Sequence, residues 1–160
     1  MLTSKELQQW EADGRYFDWQ SHSIFYREQG AGETLLCIHG FPTSSFDWHA
    51  MWPSLTKHYR VISLDLLGFG YSGKPRRNKY SVLQQADIIS ALLSSLMIDR
   101  AHIFAHDLGD SIAQECLARQ ENNTGQNRFE IQSICFLNGG LFPETHRPRL
   151  IQTLLRGPLG

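Results

Sequence analysis

The chain has 160 residues, near the commonest size for one domain, so one hydrophobic core is expected rather than two. Hydrophobic residues make up 41% and charged residues 19%, which excludes a disordered or collagen-like chain. Lysine plus arginine count 15 against 16 acids, a net charge of −1, so no overall field draws the chain to nucleic acid.

Cys37, Cys116 and Cys135 are odd in number and lack CxxC spacing. They read as reduced core residues of a cytoplasmic protein, without a disulfide frame or a metal site. The first ten residues are polar and show no signal-peptide core. The longest apolar stretch, 88–98, is interrupted by Ser90, Ser94 and Ser95 and is too short to span a bilayer.

Residues 16–19 and 23–27 carry aromatic and β-branched side chains between glycine-containing turns, the pattern of a β-hairpin. Residues 35–38 form a continuous apolar run ending in His39-Gly40, as in a strand buried on both faces. An irregular helix, broken near Pro53, is expected over 45–57, followed by a second buried strand over 60–64. Gly68, Gly70, Gly73 and Pro75 mark a long loop, and Ser81 with Gln84 forms a capping box opening a helix to about Met97. A third buried strand over 101–104 leads abruptly into a helix over 108–119. A polar turn over 122–127 precedes a fourth buried strand over 131–137. Strands alternating with helices of this length predict an α/β fold with a mostly parallel sheet and helices on both faces. A ligand site is then expected at the carboxyl ends of the strands.

Three of those ends are chemically unusual. They are His39-Gly40-Phe41-Pro42, Asp65 with its glycine-rich loop, and Ala105-His106-Asp107-Leu108-Gly109. The third has the small-x-nucleophile-x-Gly shape of a nucleophile elbow, with aspartate at its centre. The loop after Asp65 matches neither the Walker spacing nor GxGxxG, so it reads as a set of fixed turns rather than a phosphate cradle. Asp107 has a plainer reading as a helix N-cap. Its pairing with the His-Gly-Phe-Pro motif favours the catalytic one. Trp48 reads as core packing, and His22, His49, His58, His102 and His146 have no site context.

In order and separation, His39-Gly40-Phe41-Pro42 and His106-Asp107-Leu108-Gly109 resemble the α/β-hydrolase superfamily. The branch is the one with an aspartate nucleophile, which holds epoxide hydrolases and haloalkane dehalogenases. The resemblance runs from the hairpin near Tyr16 to about Pro148. It implies an incomplete hydrolase core over 1–142, opening with the hairpin, and the start of a lid over 143–160. It implies a small apolar organic substrate, no cofactor and no metal, and an aspartyl-ester intermediate formed on Asp107. An ionised carboxylate attacks an sp3 carbon without a general base, and the amino end of the following helix favours its charge. The backbone N–H groups of Phe41 and Leu108 are the implied oxyanion donors. His39, Gly40, Pro42, His106 and Gly109 support the loop and elbow, and neither histidine takes the base role.

Asn138 ends the fourth strand, where a subgroup of dehalogenases carries its triad acid. An amide cannot hold an imidazolium as a carboxylate can, and Glu144 is the nearest acid. The implied catalytic histidine is expected beyond residue 160, in a longer protein. Leu108 and Phe41 stand where dehalogenases place halide-binding tryptophan and asparagine, which disfavours halide release. Two alternatives stay open beside epoxide opening: a dehalogenase-like enzyme and a non-catalytic interaction protein of the same fold.

Overall fold

The computed structural model describes residues 4–122 and 129–139. Among these, six strands form one sheet: β1 (Arg15–Trp19), β2 (His22–Gln29), β3 (Thr34–Ile38), β4 (Arg60–Leu64), β5 (Arg100–His106) and β6 (Glu130–Leu137). Their order is β1-β2-β4-β3-β5-β6. β1 and β2 form an antiparallel hairpin, β2 runs antiparallel to β4, and β4, β3, β5 and β6 are mutually parallel.

Period-two alternation distributes the strand side chains between two cores. Leu36, Ile38, Ile62 and Leu64 face one layer. There they meet Ile88 and Leu92 of α3 (Val82–Ser95) and Ile112 and Cys116 of α4 (Leu108–Glu121). Leu35, Cys37 and Val61 face the other layer. That layer holds Trp10 of α1 (Ser4–Ala12), Trp48 of a 3-10 turn (Ser45–Trp48) and Trp52 of α2 (Trp52–Leu55). Helices therefore cover both faces, as the sequence predicts. In α3 the buried Ile88, Ile89, Leu92 and Leu93 recur at helical spacing. Ser81 Oγ accepts the Gln84 N–H at 3.1 Å and caps the helix. The second half of the expected capping box is missing, because the Gln84 amide pairs with that of Asn78 at 2.8 and 2.9 Å.

Three features depart from the sequence reading or were absent from it. The segment after Ser44 is a 3-10 turn and a separate short helix. Pro53 does not break that helix; it sits in the first turn, where its missing N–H leaves no intrahelical bond unmade. The polar start folds as α1, which periodicity does not reveal because Trp10 is the one buried residue of 5–12. The Arg27 guanidinium lies 4.1 Å from the Trp10 ring and 5.0 Å from Trp52, and pairs with Asp13 at 3.0 Å. Burial lowers the Arg27 pKa and the Asp13 charge opposes that.

The third correction concerns β6, which is not buried on both faces. Ile131 is buried and Ile134 and Phe136 pack towards α4, while Ser133 and Cys135 on the other face are exposed. Among the described residues β6 has one strand neighbour and a helix on one face only. Cys135 is therefore not a core cysteine, whereas Cys37 and Cys116 are buried with thiols pushed up to about 12 by burial. Among the described residues no helix is long and apolar enough to cross a membrane.

Leu92 is fully buried between α3 and the sheet. Leu92→Ala is expected to cost about 3 kcal/mol of stability, read as a lowered urea midpoint with an unchanged m-value.

Candidate active site at the carboxyl ends of the parallel strands

Chain reversal at the end of β5 is completed in one residue. Asp107 adopts φ 53° and ψ −117°, a strained conformation, and α4 begins at the next position. The tightness rests on missing side chains. A Cβ on Gly109 would stand 2.5 Å from the Ile38 carbonyl oxygen and 2.8 Å from that of His39. A Cβ on Gly40 would stand 2.5 Å from the Asp107 Cβ. These two glycines let the β3 and β5 ends meet.

The meeting brings Asp107, Phe41 and Leu108 together. Asp107 Oδ1 accepts the Phe41 N–H at 2.8 Å and the Leu108 N–H at 2.6 Å. Oδ2 has no hydrogen-bond partner among the described residues. The two N–H groups sit where they stabilise negative charge on Oδ1, and Asp107 is an exposed residue.

The two neighbouring histidines are committed elsewhere. His39 is fully buried, and its Nε2 accepts the Leu66 N–H at 2.9 Å. The proton therefore resides on Nδ1, which donates to the Gly40 carbonyl at 2.8 Å. Burial lowers its pKa, so the neutral ring is the resident form. His106 Nε2 lies 3.0 Å from Asp47 Oδ2, which also receives the Thr43 hydroxyl. Its ring meets Trp48 edge-on, on the sheet face opposite α3 and α4. Asp65 Oδ1 accepts the Ser45 N–H at 2.7 Å and Oδ2 that of Tyr71 at 2.6 Å, tying the loops after β3 and β4 together. Pro42 belongs to the same loop as Phe41. Asn138 follows β6 with φ 53°, and Glu144 and the 143–160 segment lie outside the described residues.

Asp110 was not singled out by sequence reasoning. It is 1% exposed, and neither carboxylate oxygen has a hydrogen-bond partner among the described residues. A Cβ on Gly139 would stand 1.8 Å from its Oδ2, so the Asn138-Gly139 turn lies directly on the carboxyl group. Burial pushes its pKa up to about 6; the strand end at Leu137 and the His106 charge oppose the rise, and Asp107 adds to it. An acid in the first turn of a helix looks like an ordinary dipole partner, which hides this residue in the sequence.

Beside the Phe41 and Leu108 side chains opens a cavity of about 550 Å³, walled by Phe69, Tyr80 and Val82. A second cleft of about 340 Å³ lies at the opposite sheet end, near Arg60 and His102. Among the described residues no cluster of His, Cys, Asp and Glu is arranged to hold a metal ion.

The model of the alpha/beta hydrolase fold matches residues 33–129. The chain belongs to that family. It is similar to the human mesoderm-specific transcript homolog protein, with 46% identity covering 96% of this chain and 48% of that protein. The chain thus spans about half the length of the curated relatives it matches. Among solved structures it is similar to haloalkane dehalogenase DbeA from Bradyrhizobium elkani, at TM-score 0.68 and 30% identity over 79% of this chain and 41% of that one. It is also similar to the epoxide hydrolase CorEH, at TM-score 0.70 and 25% identity over 89% and 48%.

The raised pKa of Asp110 sets a sign for stability against pH. The folded state binds the proton more tightly than the unfolded chain, whose value lies near 3.8. Stability from this group is therefore present below about 4 and is lost as pH rises through about 6. Asp110→Asn keeps the shape without the charge and is expected to add about 1–2 kcal/mol at pH 7.5, with no gain at pH 4. Denaturant melts at the two pH values measure the difference.

Proposed function

We propose that this chain carries the nucleophile and the oxyanion donors of an epoxide-hydrolase-like enzyme working through an aspartyl ester. One observation carries the reading: both backbone donors converge on Asp107 Oδ1, while Oδ2 has no hydrogen-bond partner among the described residues. Oδ2 attacks a substrate carbon as the epoxide C–O bond breaks, and the released oxygen takes a proton from an acid proposed to lie outside the described residues. Oδ1 then becomes the carbonyl oxygen of the ester, already in its hole. Attack of water on that carbonyl places negative charge on Oδ1, where the Phe41 and Leu108 N–H groups stabilise it; one such donor is worth about 3 kcal/mol.

Water must first lose a proton to a base. His39 has both ring nitrogens engaged and His106 is turned to Asp47, so neither is the base, and the proposed base is a histidine beyond residue 160. The similar solved structures, one an epoxide hydrolase and one a haloalkane dehalogenase, support a hydrolase. Within that pair the Phe41 and Leu108 side chains favour epoxide opening, since neither offers an N–H to a departing halide.

Incubation with styrene oxide followed by intact-mass measurement tests the covalent step. The expected result is one added epoxide mass, absent in Asp107→Asn, with no multiple turnover by the 160-residue chain. An adduct that survives Asp107→Asn would falsify the assignment. No adduct in a longer protein that retains its histidine favours the binding-only alternative.

A further inference from the structure

The cavity beside Asp107 has an apolar wall whose hydrogen-bonding side chains are already engaged. The Tyr80 hydroxyl donates to the Pro75 carbonyl at 2.9 Å. Gln85 accepts the Leu67 N–H at 3.0 Å and donates to the Leu67 carbonyl at 2.9 Å. Phe41, Gly68, Phe69, Val82 and Leu108 complete the wall with Ser81, whose hydroxyl accepts the Gln84 N–H, and among the described residues no charged side chain lines the space. The part of a ligand held there is hydrocarbon or aryl, because a charge would be desolvated without compensation.

The loop that precedes Tyr80 is different. Between Asp65 and Asp87 the chain carries Lys74, Arg76, Arg77 and Lys79 and no acid, although its overall charge is only −1. Two anchors tie this loop to the segment that walls the cavity: the bond from the hydroxyl of Tyr80, a lining residue, to Pro75, and the amide pair of Asn78 with Gln84. Lys74 is held by the Gly70 and Ser72 carbonyls. Arg76, Arg77 and Lys79 are exposed, and among the described residues no carboxylate pairs with them. The nearest acids in sequence are occupied: Asp65 by backbone N–H groups and Asp87 by Arg119. On the Phe41 and Leu108 side stands the Asp107 carboxylate, which repels a second anion.

We propose that the site takes an anionic amphiphile, with its hydrocarbon chain in the slot and a phosphate or carboxylate head on Arg76, Arg77 and Lys79. The substrate role of such a ligand rests on the Asp107 reading; its binding does not. A buried apolar tail selects length and shape, and the basic loop selects head-group charge.

Isothermal titration with dodecyl phosphate, held below its critical micelle concentration, tests the proposal. Dodecyltrimethylammonium and anionic phospholipid vesicles are the comparison arms. Dodecyl phosphate is expected to bind at least about tenfold tighter than the cation, the size of one charge-assisted contact. The variant Arg76→Ser, Arg77→Ser, Lys79→Ser loses that preference while its melting temperature stays put, because the three side chains are exposed. Val82→Trp fills the slot and removes binding of both monomers. Asp107→Asn keeps the binding, which separates this result from failure of the catalytic assignment. Equal affinity for the two head groups overturns the proposal, as does a preference that survives the triple substitution. Binding to vesicles without binding of the monomer also overturns it, assigning the loop to a bilayer surface.

Discussion

The close approach of the β5–α4 turn to the end of β3 is the constraint on which the site depends. Gly109 lets the start of α4 rest on the Ile38 and His39 carbonyls, and Gly40 leaves room for the Asp107 side chain. Without those contacts the Phe41 and Leu108 N–H groups would not reach a common oxygen. Asp107 is held in a strained backbone conformation because the layers on both sides of it are packed. The stored strain is small beside the burial that enforces it, since each fully buried aliphatic side chain contributes about 2 kcal/mol.

Around this contact the polar groups act as struts between loops. His39 joins the β3 end to Leu66, Asp65 joins Ser45 to Tyr71, and Asp47 with His106 joins the 3-10 turn to β5. Each strut links segments far apart in the sequence, and two of them, His39 and Asp65, are fully buried. In a low-dielectric setting such bonds are directional and unforgiving, so they fix positions that apolar packing alone would leave loose. Asp110 is the exception, a buried carboxyl group under the Asn138-Gly139 turn with the β6 end at Leu137 beside it and no well-formed hydrogen bond among the described residues.

Much of this was legible in the sequence, for physical reasons that differ by element. β3, β4 and β5 are short apolar runs closed by His39, Asp65 and Asp107, and their burial follows from that pattern. β6 shows the same kind of run, but periodicity cannot tell whether one or both faces will be covered. The small-x-Asp-x-Gly turn is local chemistry, so Asp107 and its two glycine contacts stood out. The Asp47–His106 link spans 59 positions and Asp110 is defined by what folds over it, so neither leaves a local signature. α1 escaped notice because a polar segment with one tryptophan anchor does not repeat.

That anchor gives the molecule two very different grades of attachment. α1 joins no strand and meets the sheet layer through Trp10, over the Arg27 guanidinium and beside Trp52. Its amides are protected by its own turns, by Trp10 packed on Phe46 and Trp52 with its indole N–H on Ser45 Oγ, and by the Tyr71 hydroxyl on the Leu7 carbonyl, whereas those of β3 and β4 lie beneath helices on both faces. In amide exchange the helix forms a separate opening unit of low free energy, released while the central strands remain closed. Detachment of α1 uncovers Trp52 and the Arg27 charge and releases Ser45 and Tyr71, the two residues that Asp65 ties together, so the opening reaches the loops after β3 and β4.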